Sequence, residues 1–170
     1  MGCVGLTFAA VPFVRSFNPA RDRQRAAEPI TVDVSRLKPG QLLKVLWQGK
    51  PVWILSRTTS TLEVLSRENA DLVDPFSMAA QQPDYAKNVY RSRDPRYFVA
   101  LGVCTHLGCS PVISYPDGTS NPALFLCPCH GSRFDLAGRV YKGGAAGYNL
   151  AIPPYYFSRE GELVIGRDSA

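Results

Sequence analysis

The sequence predicts a mostly β domain carried on an N-terminal tether. Aromatics, Gly and Pro are frequent, with 14 Gly and 14 Pro in 170 residues, and β-branched runs are short and scattered; this favours strands and loops over long helices. Alternating or apolar segments recur between turn signals. Hydrophobic residues make up 45% of the chain and charged ones 19%, the balance of an ordinary globular domain, and the length suffices for one real core.

The chain opens with "CVGLTFAAVPFV", a 12-residue apolar run interrupted by Pro12. At 1.5 Å per residue it covers roughly 18 Å, whereas a spanning helix needs ~20 residues. Residues 1–14 are therefore expected to be the C-terminal part of a transmembrane anchor. "RSFNPARDRQRAAEP" (15–29) is polar, unpatterned and ends in proline, as a flexible linker does. The net charge of +5 is concentrated here: Arg15, Arg21, Arg23 and Arg25 against Asp22 give that stretch +3. A basic tether is not the basic, aromatic-interleaved face that nucleic acid requires, so nucleic acid is excluded as a partner.

Residues 30–170 form the expected domain. "ITVDV" (30–34) alternates like a strand, and "QLLKVLWQGKPVWILS" (41–56) is two apolar runs around a turn, a hairpin. "STLEVLSREN" (60–69) is the one helix candidate, with a Thr/Ser cap ahead of it and Glu63 three residues after Ser60. Residues 71–88 read as an irregular excursion. "RYFVALGV" (96–103) and "ALFLC" (123–127) are strands, and "NLAIPPYYF" with "ELVIG" closes the domain as a hairpin.

Four of the five cysteines and both histidines fall between Cys104 and His130. Scatter does not place six such residues so closely; they mark a site. They sit in two loops, "CTHLGC" (Cys104, His106, Cys109) and "CPCHGS" (Cys127, Cys129, His130), 17 residues apart, each following a strand. Six candidate ligands are too many for one tetrahedral zinc. One division takes Cys104, His106, Cys127 and His130 as ligands, the set of a Rieske-type [2Fe–2S] centre, and leaves one thiol in each loop free to pair.

"CTHLGCSP" and "CPCHGSRFD" resemble the two signature boxes of the Rieske iron–sulfur subunit of the cytochrome bc1 complex, in its proteobacterial form. The likeness extends to "RLKPGQ", "GRVYKGG" and "NLAIPPY", and so covers nearly the whole chain. It implies a Rieske-type antiparallel β-sandwich with a cluster-binding subdomain at about 99–147 and one short helix. It implies that Cys104 and Cys127 bind the inner iron of one [2Fe–2S] cluster, His106 and His130 the outer iron, and that Cys109–Cys129 is a shielding disulfide. Leu107 would be the docking tip, His130 the quinol contact and proton acceptor, and Ser132 a donor to a bridging sulfide. Phe134 stands where many relatives carry a tyrosine that bonds a ligand sulfur. "GGAAG" (143–147) replaces a proline-rich loop and is expected to be more flexible.

The same resemblance implies the partners: cytochrome b, cytochrome c1 and quinol, in a membrane-anchored and dimeric complex. A disulfide persists in oxidising compartments, which puts the head on the periplasmic side of a bacterial inner membrane. His ligation has an electrostatic reason: with two thiolates the oxidised cluster is neutral, whereas four give it two negative charges, so the electron enters more easily. Rieske centres reach ~−150 to +300 mV against ~−400 mV for plant-type ferredoxins. Rieske ferredoxins lack the second cysteine pair, and a structural zinc module would hold zinc in place of iron.

Overall fold

A computed structural model describes residues 10–14, 28–67, 70–115, 123–159 and 161–169. The expected anchor and linker lie almost wholly outside them; residues 10–14 are helical and exposed. Among the described residues no helix is long and apolar enough to cross a membrane.

The long apolar runs at 41–56 and 96–103 become strands, and the described strands make three antiparallel sheets. β1 (Ile30–Asp33) pairs with β9 (Glu162–Ile165), which pairs with β8 (Tyr155–Arg159). β2 (Leu42–Trp47), β3 (Lys50–Ser56) and β4 (Tyr97–Leu101) form the second sheet. The β2–β3 turn is Gln48–Gly49, both at positive φ (52° and 70°), the geometry that suits the twist of a two-residue hairpin. The third sheet is small: β5 (Val112–Ser114), β6 (Leu124–Leu126) and β7 (Arg133–Phe134). Among its described residues the domain is mostly antiparallel β with one short α-helix, as its sequence predicts.

That helix, α1 (Thr59–Leu65), starts and stops earlier than its pattern suggests. Thr58 is the cap, its Oγ1 accepting from the Thr61 N–H at 3.2 Å. The closing hairpin also starts late: Pro153 and Pro154 lack the N–H that a ladder needs, and β8 begins only at Tyr155. β5 and β7 escape a reading by periodicity because two or three residues show no period.

One core joins the sheets. Trp53 of β3 and Phe98 of β4 meet Phe125 of β6 with ring centroids 4.9 and 6.1 Å apart, which fastens the small sheet to the larger one. Gly102, at the exit of β4, is what lets Trp53 in: a Cβ there would lie 2.2 Å from the Trp53 Nε1. The chain passes over the indole and enters the first Cys/His loop immediately.

Candidate metal centre

Register brings the two loops together. The first runs from β4 into β5 and the second joins β6 to β7. Val112, at the start of β5, pairs with Leu126, at the end of β6, so both loops leave the small sheet at the same end. They also share a backbone. Gly108 N–H donates to Cys104 O at 3.0 Å and Cys104 N–H to Cys109 O at 2.7 Å. In the second loop Gly131 N–H donates to Cys127 O at 3.0 Å and Cys127 N–H to Ser132 O at 2.8 Å. Gly108 and Gly131 have φ of +86° and +71°, which is why "LGC" and "HGS" carry glycine there.

On this frame the side chains converge. Cys104 and Cys127 are free thiols and both buried. Cys109 and Cys129 form a disulfide across the two loops. The Sγ atoms of Cys109, Cys127 and Cys129 lie within 4.8 Å of one another, but two of them are spent on each other, so they are no metal trio. The His106 and His130 rings stand edge to face with centroids 4.7 Å apart. His130 is exposed; His106 is half-buried, and its Nδ1 is buried without a hydrogen-bond partner. Leu107, 73% exposed, forms the apolar tip. Burial pushes the Cys104 thiol above its ordinary range and the adjacent Cys127 thiol adds to this, while hydrogen bonds from the His106 amide and the Ser132 hydroxyl oppose it.

The surroundings of the two loops add residues that motif reading passed over. Thr105 Oγ1 donates to Tyr148 O at 2.6 Å and pins the first loop to the end of the 143–148 segment. Behind the second loop, Arg139 Nε donates to Asp135 Oδ2 at 2.6 Å, both buried. Arg57 Nε donates to Leu136 O at 3.1 Å, and Arg91 Nη1 to Ala137 O at 3.1 Å. Burial pulls the Arg57 guanidinium down to about 9 and that of Arg91 to about 10, so both are cations at neutral pH. Ser132 and Phe134 are wholly buried; Phe134 pairs with Phe125 and Val140.

Comparison with known proteins decides the family. A profile described as Rieske [2Fe-2S] domain matches residues 64–153. The ubiquinol–cytochrome c reductase iron–sulfur subunit of Allochromatium vinosum is 49% identical over 173 residues, 99% of this chain and 84% of the relative. The chain belongs to the Rieske [2Fe–2S] family of ubiquinol–cytochrome c reductase iron–sulfur subunits. The subunit of the same name from Rhodospirillum rubrum is 40% identical, over 98% of this chain and 85% of that one. A solved chain of "Hyperthermophilic respiratory Complex III" is similar over 95% of this chain and 92% of its own, with TM-score 0.51 and 26% identity.

The cofactor of a Rieske domain is a [2Fe–2S] cluster, and the residues present fit it. The same two loops carry two buried thiols with no disulfide partner and two adjoining imidazoles, one with a buried nitrogen that bonds nothing. A buried polar atom with no partner is costly, and a metal ion is a partner that would satisfy this one. Soft thiolates together with imidazoles suit iron in a mixed-ligand Rieske centre.

Proposed function

We propose that this chain carries one electron from quinol to cytochrome c1 within a ubiquinol–cytochrome c reductase, with a proton released from the quinol in the same step. The single observation that carries the assignment of roles is the division of the six Cys and His side chains: two joined to each other, two buried thiols, and two imidazoles at the rim.

Cys104, Cys127, His106 and His130 would hold the cluster, two thiolates and two imidazoles. When bound, the cluster supplies one-electron chemistry at high potential. His130, exposed on the second loop, meets the quinol hydroxyl and holds its proton on the imidazole. Leu107 seats the head against the apolar wall of the quinol pocket. The Cys109–Cys129 disulfide holds the two loops together and keeps water from the sulfurs. Ser132 would donate to a sulfur of the centre, and Phe134, with no hydroxyl, could not; fewer donors would leave the reduced state less stabilised. Cytochrome b receives the second electron. The complex is dimeric and sits in a bacterial inner membrane, with this head on the periplasmic side.

The test is made on the isolated complex. Adding quinol is expected to bring up the reduced-cluster EPR signal, and oxidised cytochrome c is expected to remove it. A cluster that stays oxidised under quinol would overturn the assignment.

A further inference from the structure

Residues 143–147, Gly-Gly-Ala-Ala-Gly, have the composition of a flexible loop, since glycine has the most backbone freedom to lose. The structure nevertheless holds this loop at both ends and in the middle. At its start, Lys142 N–H donates to Asp71 O at 2.7 Å, Lys142 Nζ to Ala70 O at 2.8 Å, and Val73 N–H to Val140 O at 2.9 Å. At its end stands Asn149, almost wholly buried. Its Oδ1 accepts from the Val140 N–H at 2.9 Å, and its Nδ2 donates to Asp74 O at 2.9 Å and to Ser77 Oγ at 3.4 Å. One amide side chain thus closes the two ends of the loop on each other and ties them to residues 70–77, the irregular excursion of the sequence.

The middle of the loop lies on the metal centre. Ala146 N–H donates to Ser132 Oγ at 3.0 Å. Gly144 packs against the same residue, where a Cβ would come within 3.1 Å of Ser132 Cα. A hydroxyl whose oxygen accepts an N–H turns its own hydrogen toward another acceptor. Ser132 is wholly buried and its carbonyl closes the Cys127 loop at 2.8 Å, so the hydrogen has its acceptor on the sulfur side, and the downward pull of Ser132 on the Cys104 thiol agrees with this.

We propose that Asn149 is a positioning residue: with the 70–77 strap it holds the Ala146 amide on Ser132 Oγ, and so aims the Ser132 hydroxyl at the sulfurs of the centre. This rests on the reading of Cys104 and Cys127 as cluster ligands. The strap supplies from outside the rigidity that the loop's own composition lacks. Its effect on the cluster passes through one hydroxyl.

The experiment is a double-mutant cycle on the full chain carrying its cluster: Asn149→Ala, Ser132→Ala and both together, with amide hydrogen exchange over 143–147 and an EPR-monitored redox titration. Asn149→Ala is expected to speed exchange of that segment about tenfold. It is also expected to shift the one-electron equilibrium about threefold toward the oxidised form, roughly 30 mV. With Ser132→Ala already present, Asn149→Ala should still loosen the loop but move the potential no further, the non-additivity expected of residues acting in series. Equal potential shifts in both backgrounds, or unchanged exchange, would overturn the proposal. Lys142→Met removes only the exposed bond to Ala70 O, so it tests the strap if Asn149→Ala does not fold; it should move both readouts the same way by less, and no movement in either refutes the strap. An unaltered chain without a [2Fe–2S] signal overturns the cluster reading itself, and exchange at 143–147 then reports on the strap alone.

Discussion

The two Cys/His loops have the same backbone and different foundations. In each, a cysteine amide is closed by the carbonyl five residues on, and a glycine at positive φ makes the turn. The first loop rests on apolar packing: Trp53 beneath Gly102, and an exposed leucine at its tip. The second is rooted in buried charge, with Asp135 and Arg139 paired and Arg57 and Arg91 bonded to the carbonyls of the turn that follows. The difference is one of task. On the proposed reading the first loop would offer a surface for docking, and the second would fix the sulfur environment and present His130.

The largest test of the shared backbone is at the thiols. Cys104→Ser and Cys127→Ser should each abolish the cluster, seen as loss of iron and of the reduced EPR signal from either loop alike. The next breaks the comparison. Asp135→Ala leaves the Arg139 guanidinium buried without its carboxylate, and should cost about 3–5 kcal/mol in denaturant unfolding. Thr105→Val, the corresponding polar tie of the first loop, should cost only about 1 kcal/mol by the same measurement.

These expectations divide along a line that also separates what was legible in the sequence from what was not. Cys104, His106, Cys109, Cys127, Cys129 and His130 declare themselves because soft ligands are rare and crowding them is rarer. β2, β3 and β4 were legible because each is a long apolar run, buried in β3 and β4 and half-buried in β2. Arg57, Arg91 and Asn149 were not: their partners, mostly backbone carbonyls and amides, lie 9 to 79 residues away, as in the Arg57–Leu136 bond, and no local pattern encodes these. The 143–147 loop shows the same gap, since its glycines suggest freedom and its clamps lie in another segment.

Two smaller effects sharpen the comparison. Gly108→Ala and Gly131→Ala meet no atom within 4 Å, so only the positive φ opposes them; each should cost about 1–2 kcal/mol, equal in the two loops. Phe134→Tyr in the second loop should raise the cluster potential, since a hydroxyl bond to a ligand sulfur stabilises the reduced form. A net hydrogen bond of about 1 kcal/mol corresponds to roughly 40 mV in a one-electron couple. Leu107→Ala at the first tip should leave the potential unchanged and slow quinol-driven reduction. A redox titration in which Phe134→Tyr does not move the potential would refute the hydroxyl argument.

Two buried thiols and two imidazoles are proposed to hold iron together. Low-temperature EPR of the dithionite-reduced chain, with iron and zinc assayed on the same sample, tests this most directly. Two irons per chain and a rhombic signal averaging well below the free-electron g are expected. Zinc in the site with no signal would contradict it and reduce CPCHGSRF to a structural clasp.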